Sequence, residues 1–138
     1  MDENPHVPLE PYPCNKIVYR AALFPDWIKE SKPRGNQISK QAFFRLEKDE
    51  NGVTVTPTPE TCTDGLTDET YGIISLKVGW IRNAGFDVVP DRENHANIVG
   101  LPIRTEETKV ESTGLAGRIA KIARPYTPEE PFDPRNSN

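Results

Sequence analysis

Ile74-Ser75-Leu76-Lys77-Val78-Gly79-Trp80-Ile81 is the stretch whose reading decides the fold class, because it satisfies two incompatible periodicities. Apolar and small or polar side chains alternate with period two, as on a half-buried strand. Ile74, Val78 and Ile81 also recur at i, i+4 and i+7, the stripe of an amphipathic helix, and Thr67-Asp68-Glu69 upstream resembles a helix start. Periodicity alone leaves both open. The β-branched content and the glycines Gly72 and Gly79 favour a strand that ends in a short helical turn over 80–84, closed by Gly85.

Downstream, Phe86-Asp87-Val88-Val89 alternates and stops at Pro90, and His95-Ala96-Asn97-Ile98-Val99 reads as a further strand stopped by Gly100 and Pro102. The strongest helix signal covers 112–124. Thr113 is its expected cap, Glu111 complements the dipole and Pro125 halts the run. Leu115, Ile119 and Ile122 make its apolar stripe, and Arg118, Lys121 and Arg124 fan over the adjoining edge.

Upstream, Ala42-Phe43-Phe44-Arg45-Leu46 and Val53-Thr54-Val55-Thr56 flank an Asn51-Gly52 pair, which supplies the positive φ angles of a tight reversal. The pattern predicts a hairpin. Pro57 and Pro59 end its second strand, and 58–68 reads as a polar loop. Lys16-Ile17-Val18-Tyr19-Arg20-Ala21 predicts a first strand, followed by one helical turn around Pro25, Trp27 and Ile28. The expected architecture is therefore α+β: a small, mostly antiparallel sheet of five or six strands, with the last helix packed on one face.

Proline punctuates both ends of this body. Fourteen prolines in 138 residues are about twice the usual ~5% usage. Four fall within the first thirteen residues, so 1–14 reads as an extended arm. Pro125, Pro128, Pro131 and Pro134 recur at every third position, the repeat of polyproline II, and would line one edge of a tail over 125–138. Such an edge fits either a stiff tail lying on its own domain or a ligand for an aromatic-lined groove on a partner. One domain over 15–124 lies between the arms, since 138 residues leave no room for a second sizeable core.

Composition narrows the functional classes. No stretch approaches the ~20 consecutive apolar residues of a membrane span, and the N-terminus lacks the features of a secretory signal, which points to a soluble cytoplasmic protein with no membrane partner. Cys14 and Cys62 have neither metal-site spacing nor the density of a disulfide scaffold, so both read as free thiols. A net charge of -4 argues against a broadly basic nucleic-acid surface. No phosphate-cradling glycine loop, paired metal-binding histidines or nucleophile elbow is present, so no cofactor and no metal is expected.

Histidine is scarce, and His95 is the one natural candidate for proton transfer, with Asp91 and Glu93 placed to orient its ring. Its bland alternative is a satisfied donor at a strand edge. Arg20 and Arg45, with Asp91 and Asn97, are the candidate ligand-binding residues, because a planar guanidinium beside an imidazole can build an anion pocket. Arg118 and Lys121 join the four tail prolines as candidate partner-binding residues.

The order Ile17-Val18-Tyr19-Arg20, Ser39-Lys40-Gln41-Ala42-Phe43, Val88-Val89-Pro90-Asp91 and Asn94-His95-Ala96 with Ile98-Val99-Gly100 resembles small bacterial proteins of no established activity. In those a serine-rich segment precedes Ala-Phe, and an Asn-Pro-Ala-His-Ala-like stretch runs into a Val-Val-Gly strand. Here Ser39 stands alone and Asn94 directly precedes His95. The resemblance covers about 16–124 and implies a bacterial setting and these fold boundaries, not a reaction. The expected function is thus a non-enzymatic accessory protein that binds a protein partner through its sheet edge and proline-rich arms. The alternatives are an enzyme or effector acting on a nucleotide or nucleic acid through His95, and a DNA-binding regulator using the basic helix edge.

Overall fold

The computed structural model describes residues 10–29, 31–33, 36–47, 49, 51–62 and 71–126. The prolines of 1–9, the Thr67-Asp68-Glu69 segment and Pro128, Pro131 and Pro134 lie outside the described residues. Among the described residues six strands form two three-stranded antiparallel sheets rather than the single sheet that the alternation implies. β1 (Ile17–Ala21), β3 (Ile73–Lys77) and β6 (Arg124–Pro125) make one, in the order β1-β3-β6. β2 (Val53–Val55), β4 (Asp87–Arg92) and β5 (His95–Val99) make the other, in the order β2-β5-β4. A single bridge, Tyr19 to Thr56, links them, and Val18, Val53, Val55, Ile74, Leu76, Val88 and Ile98 bury their side chains completely in one shared core.

The ambiguous central stretch uses both of its periodicities in turn. β3 runs to Lys77, and the chain enters α2 (Val78–Asn83) at the next residue, two positions earlier than expected. The entry is fixed from outside: Val78 N–H donates to Lys16 O at 2.9 Å and Gly79 N–H to Cys14 O at 2.8 Å. A Cβ on Gly79 would stand 2.9 Å from that carbonyl, so the close approach demands glycine.

The predicted hairpin over 42–46 and 53–56 is not formed. Lys40–Phe43 is a 3-10 turn, capped where Gln41 N–H donates to Ser39 Oγ at 3.2 Å. Ala42 and Phe43 are consecutive and both fully buried, which a strand facing one core cannot achieve and a tight turn can. β2 pairs instead with β5, Val53 opposite Ile98 and Val55 opposite Ala96. Gly52 does adopt a positive φ of 137°, but to pass within contact of β5. The true hairpin joins β4 to β5 at Asn94, whose φ is 62°. Pro90 does not end β4: as an edge strand β4 can spare an amide donor, and the register shifts between Pro90 and Arg92. Within 58–68, Pro59–Cys62 forms the short helix α1 rather than loop.

α3 (Lys109–Ile122) begins three residues before the expected start, after Thr108, whose carbonyl accepts from Ser112 N–H at 2.7 Å. Thr113 is therefore inside the helix, its hydroxyl donating to Lys109 O at 2.8 Å, and is not the cap. The buried positions are Ser112, Ala116, Ile119 and Ala120, so of the expected stripe only Ile119 is fully covered. Small side chains let α3 lie closely along the Lys40–Phe43 turn, its most extensive neighbour. No described helix is long and apolar enough to cross a membrane.

Candidate functional site

The β4–β5 hairpin brings a histidine, a carboxylate and an amide together. Strand alternation sends Ala96 and Ile98 into the core and leaves His95 and Asn97 on the opposite face. The irregularity between Pro90 and Arg92 supplies one unpaired residue, Asp91, whose carboxylate meets both. Asp91 Oδ1 lies 2.6 Å from His95 Nδ1, and Asn97 Nδ2 donates to Asp91 Oδ2 at 3.0 Å. Burial pushes the Asp91 pKa up, but the hydrogen bonds from His95 and Asn97 and the nearby Arg92 cation outweigh it, and the net shift is downward. An ionised carboxylate only accepts, so Nδ1 carries the proton of that contact. The His95 side chain keeps 18% of its exposure.

Two residues that the sequence did not single out complete the group. Arg92 stands opposite His95 in the hairpin register, one position from Asp91. Tyr12 packs partly buried against the core, and its phenol is held protonated by burial first and by the Asp91 charge second. Arg92 was visible as the neighbour of Asp91. Tyr12 carried no signal, since it lies 83 positions before His95 in a proline-rich segment.

Arg20 and Arg45 do not join this group. Arg20 Nε donates to Ala42 O at 2.7 Å and Nη1 to Thr54 O at 2.9 Å, clamping the junction between the sheets. Desolvation lowers its pKa to about 10, opposed by Asp49, so the group stays cationic at neutral pH. Arg45 donates to Asp49 O and to Leu101 O, both at 2.9 Å. Leu101 lies beyond the far end of β5 from His95, about 20 Å along the chain at the rise of an extended strand. Both guanidiniums hold main-chain carbonyls.

The candidate partner-binding residues are dispersed. Pro125 lies in β6, opposite Ile74, and Tyr126 N–H continues the ladder to Ile73 O at 2.8 Å. Arg118 reaches the Ala84 carbonyl and stacks over Phe86, 5.5 Å from the ring centroid. Lys121 is exposed on the last turns of α3.

Two surface features lie at the end of the first sheet. Ala22 N–H donates to Gly72 O and Tyr71 N–H to Ala22 O, at 2.9 and 2.8 Å, which sets Tyr71 beside the Leu23-Phe24 pair. These three are exposed by 58%, 41% and 56% respectively, a large fraction for apolar groups, and Phe24 rests on the buried Trp27 ring at 5.3 Å. Beside them a shallow groove of about 190 Å³ is walled by Tyr19, Arg20, Leu23 and 54–56. That is below the ~300 Å³ at which small-molecule sites begin. Among the described residues no group of three His, Cys, Asp or Glu side chains is placed to hold a metal ion.

Comparison with protein-family models, with curated proteins and with solved structures returns no match to this chain. Its class is α+β, built among the described residues from two antiparallel sheets and three α-helices.

Proposed function

We propose that this chain is an accessory protein that binds a partner protein, with Leu23, Phe24 and Tyr71 as the contact surface. The observation that supports it is their exposure on neighbouring backbone positions, joined through Ala22. Exposed aromatic clusters rimmed by polar groups lose water favourably against a complementary surface and are common interface anchors. The sheet edges support the reading less. β4 carries Pro90, an irregular register and three charged side chains, and β6 is two residues long with Pro125 in it, the devices by which edges avoid pairing. The three-residue register of Pro128, Pro131 and Pro134 supports a second contact through the tail. A cytoplasmic, bacterial setting belongs to the same reading, supported by the free thiol at Cys14 and by the resemblance in the strand order. The test is affinity capture from host lysate with the full chain and with a Phe24→Asp, Tyr71→Asp variant of unchanged melting temperature. A stoichiometric partner lost on substitution supports the proposal; no such partner, or one retained by the variant, refutes it.

A second reading is supported by the His95–Asp91 contact. A histidine pinned at Nδ1 by a carboxylate presents Nε2 as a proton acceptor, and Arg92 is the cation beside it for a substrate anion. Assay against a panel of phosphate mono- and diesters should find turnover that His95→Gln removes and Asp91→Asn lowers. Turnover that persists in the His95→Gln protein excludes His95 as the base.

A further inference from the structure

Charge is unevenly distributed in this acidic chain. Of 138 residues 21 are Asp or Glu, yet β1, β3, α2 and β6 contain none, while they carry Arg20, Lys77, Arg82 and Arg124. Arg20 is turned to the sheet junction, and Arg82 is paired with Asp87 at 2.8 Å. The remaining cations gather along α2. Lys77 Nζ and the Arg124 guanidinium lie 5.9 and 5.8 Å from the centroid of the Trp80 ring, so one aromatic side chain is attended by two positive groups. Arg124 Nη1 also donates to the Lys121 main-chain carbonyl at 3.1 Å, and Lys121 is exposed one helical turn before it. Farther along, Arg118 holds the carbonyl that follows α2, at Ala84. Lys77, Arg124, Lys121 and Arg118 thus form a strip beside α2.

Aromatic rings continue the strip onto the outer face of the first sheet. Ser75, Lys77 and Tyr19 share the face turned away from Ile74 and Leu76; Ser75 is itself fully covered there, and Arg124 is opposite it in the register. Tyr126 follows β6 and meets Tyr19 edge to face at 5.3 Å. Trp80, Tyr126 and Tyr19 are each half-buried.

We propose that this face binds single-stranded nucleic acid. A row of cations attracts a phosphate backbone, and rings interleaved with them offer contact to unstacked bases, the combination that separates single-strand binding from general polyanion attraction. The strip is short, so it fits about three or four phosphates rather than a duplex. The inference does not depend on Leu23, Phe24 and Tyr71 or on His95.

Fluorescence anisotropy of a fluorescein-labelled 12-nucleotide single-stranded RNA and of its DNA counterpart, titrated with the full chain between 20 and 200 mM salt, tests it. Binding at low salt should weaken steeply with added salt. Lys77→Glu with Lys121→Glu should weaken it at least tenfold, about the loss of two phosphate contacts. Lys109→Glu with Lys32→Glu, the same change in net charge placed elsewhere, should leave it within twofold. Four outcomes each overturn the proposal: no binding at 20 mM salt, equal loss in both double variants, a duplex of the same length bound as tightly as the single strand, or displacement by polyglutamate as effective as by unlabelled oligonucleotide. Circular dichroism melts of each variant separate loss of binding from loss of fold.

Discussion

The two sheets contribute alike to the interior and differ on the outside. Val18, Ile74 and Leu76 in one and Val53, Val88 and Ile98 in the other are all excluded from solvent, within one apolar cluster. Outwardly, β1-β3-β6 has no acidic residue and displays rings and cations, whereas the β4–β5 hairpin carries Asp87, Asp91 and Glu93, of which Asp91 meets His95. Core packing asks only for volume and apolarity, so it leaves the alternate positions of each strand free to differ. Function has to be sought in that difference, and the junction between the sheets is where it can be broken.

The largest effect is expected at Gly52, on the approach to β2. At φ 137° a side chain is strained, and a Cβ would lie 2.4 Å from the Ile98 carbonyl oxygen, which belongs to the backbone of β5 and cannot swing away. Gly52→Ala should cost upward of about 3 kcal/mol in chemical denaturation, by separating β2 from β5. A loss under about 1 kcal/mol would show that β2 is not held as described. Next in size is Arg20, the clamp between the sheets. Arg20→Met keeps most of the apolar stem but leaves the part-buried Ala42 O and Thr54 O without their donor, about 1–3 kcal/mol in all. Both sheets should lose protection together in hydrogen exchange. If only one does, Arg20 belongs to that sheet alone.

The same contrast explains what was legible in the sequence. β1, β3 and β5 are short apolar runs between clear breakers, and the class and approximate limits of each could be read locally. The pairing of β2 could not, because Asn51-Gly52 is equally compatible with a hairpin and with a glycine pressed against a distant strand; the choice was made by Ile98, 46 positions away. The start of α3 differs from its sequence signal for a related reason. Thr113 looks like a cap, but the interior of the fold selects the alanine stripe 116, 120 and 123, and small residues give little hydrophobic signal. At the site, Asp91, His95 and Asn97 were named together because they are neighbours in sequence and the hairpin keeps them so. Residue type alone suggests Arg20 and Arg45 for that group, whereas each donates to backbone carbonyls, which no pattern of side chains reveals.

The smallest effect, and the most specific to the second sheet, belongs to Asp91. Its carboxyl is more acidic in the folded chain than its ordinary value, because His95 and Asn97 donate to it and Arg92 is near, against the opposing effect of burial. A depressed folded pKa means that the unfolded chain binds a proton more readily. The stabilisation is therefore complete above the ordinary carboxylate value of about 3.9 and is lost as pH falls through the lower folded value. Asp87 follows the same rule through Arg82. The first sheet contains no acidic residue and should contribute nothing to this window. Asp91→Asn should cost no more than about 1 kcal/mol at pH 7, since the site is partly exposed, and should remove part of the acid-side slope of stability below pH 4. Denaturation midpoints from pH 2 to 7 for the parent and the variant measure it, and identical slopes would separate Asp91 from His95 and Asn97 in solution.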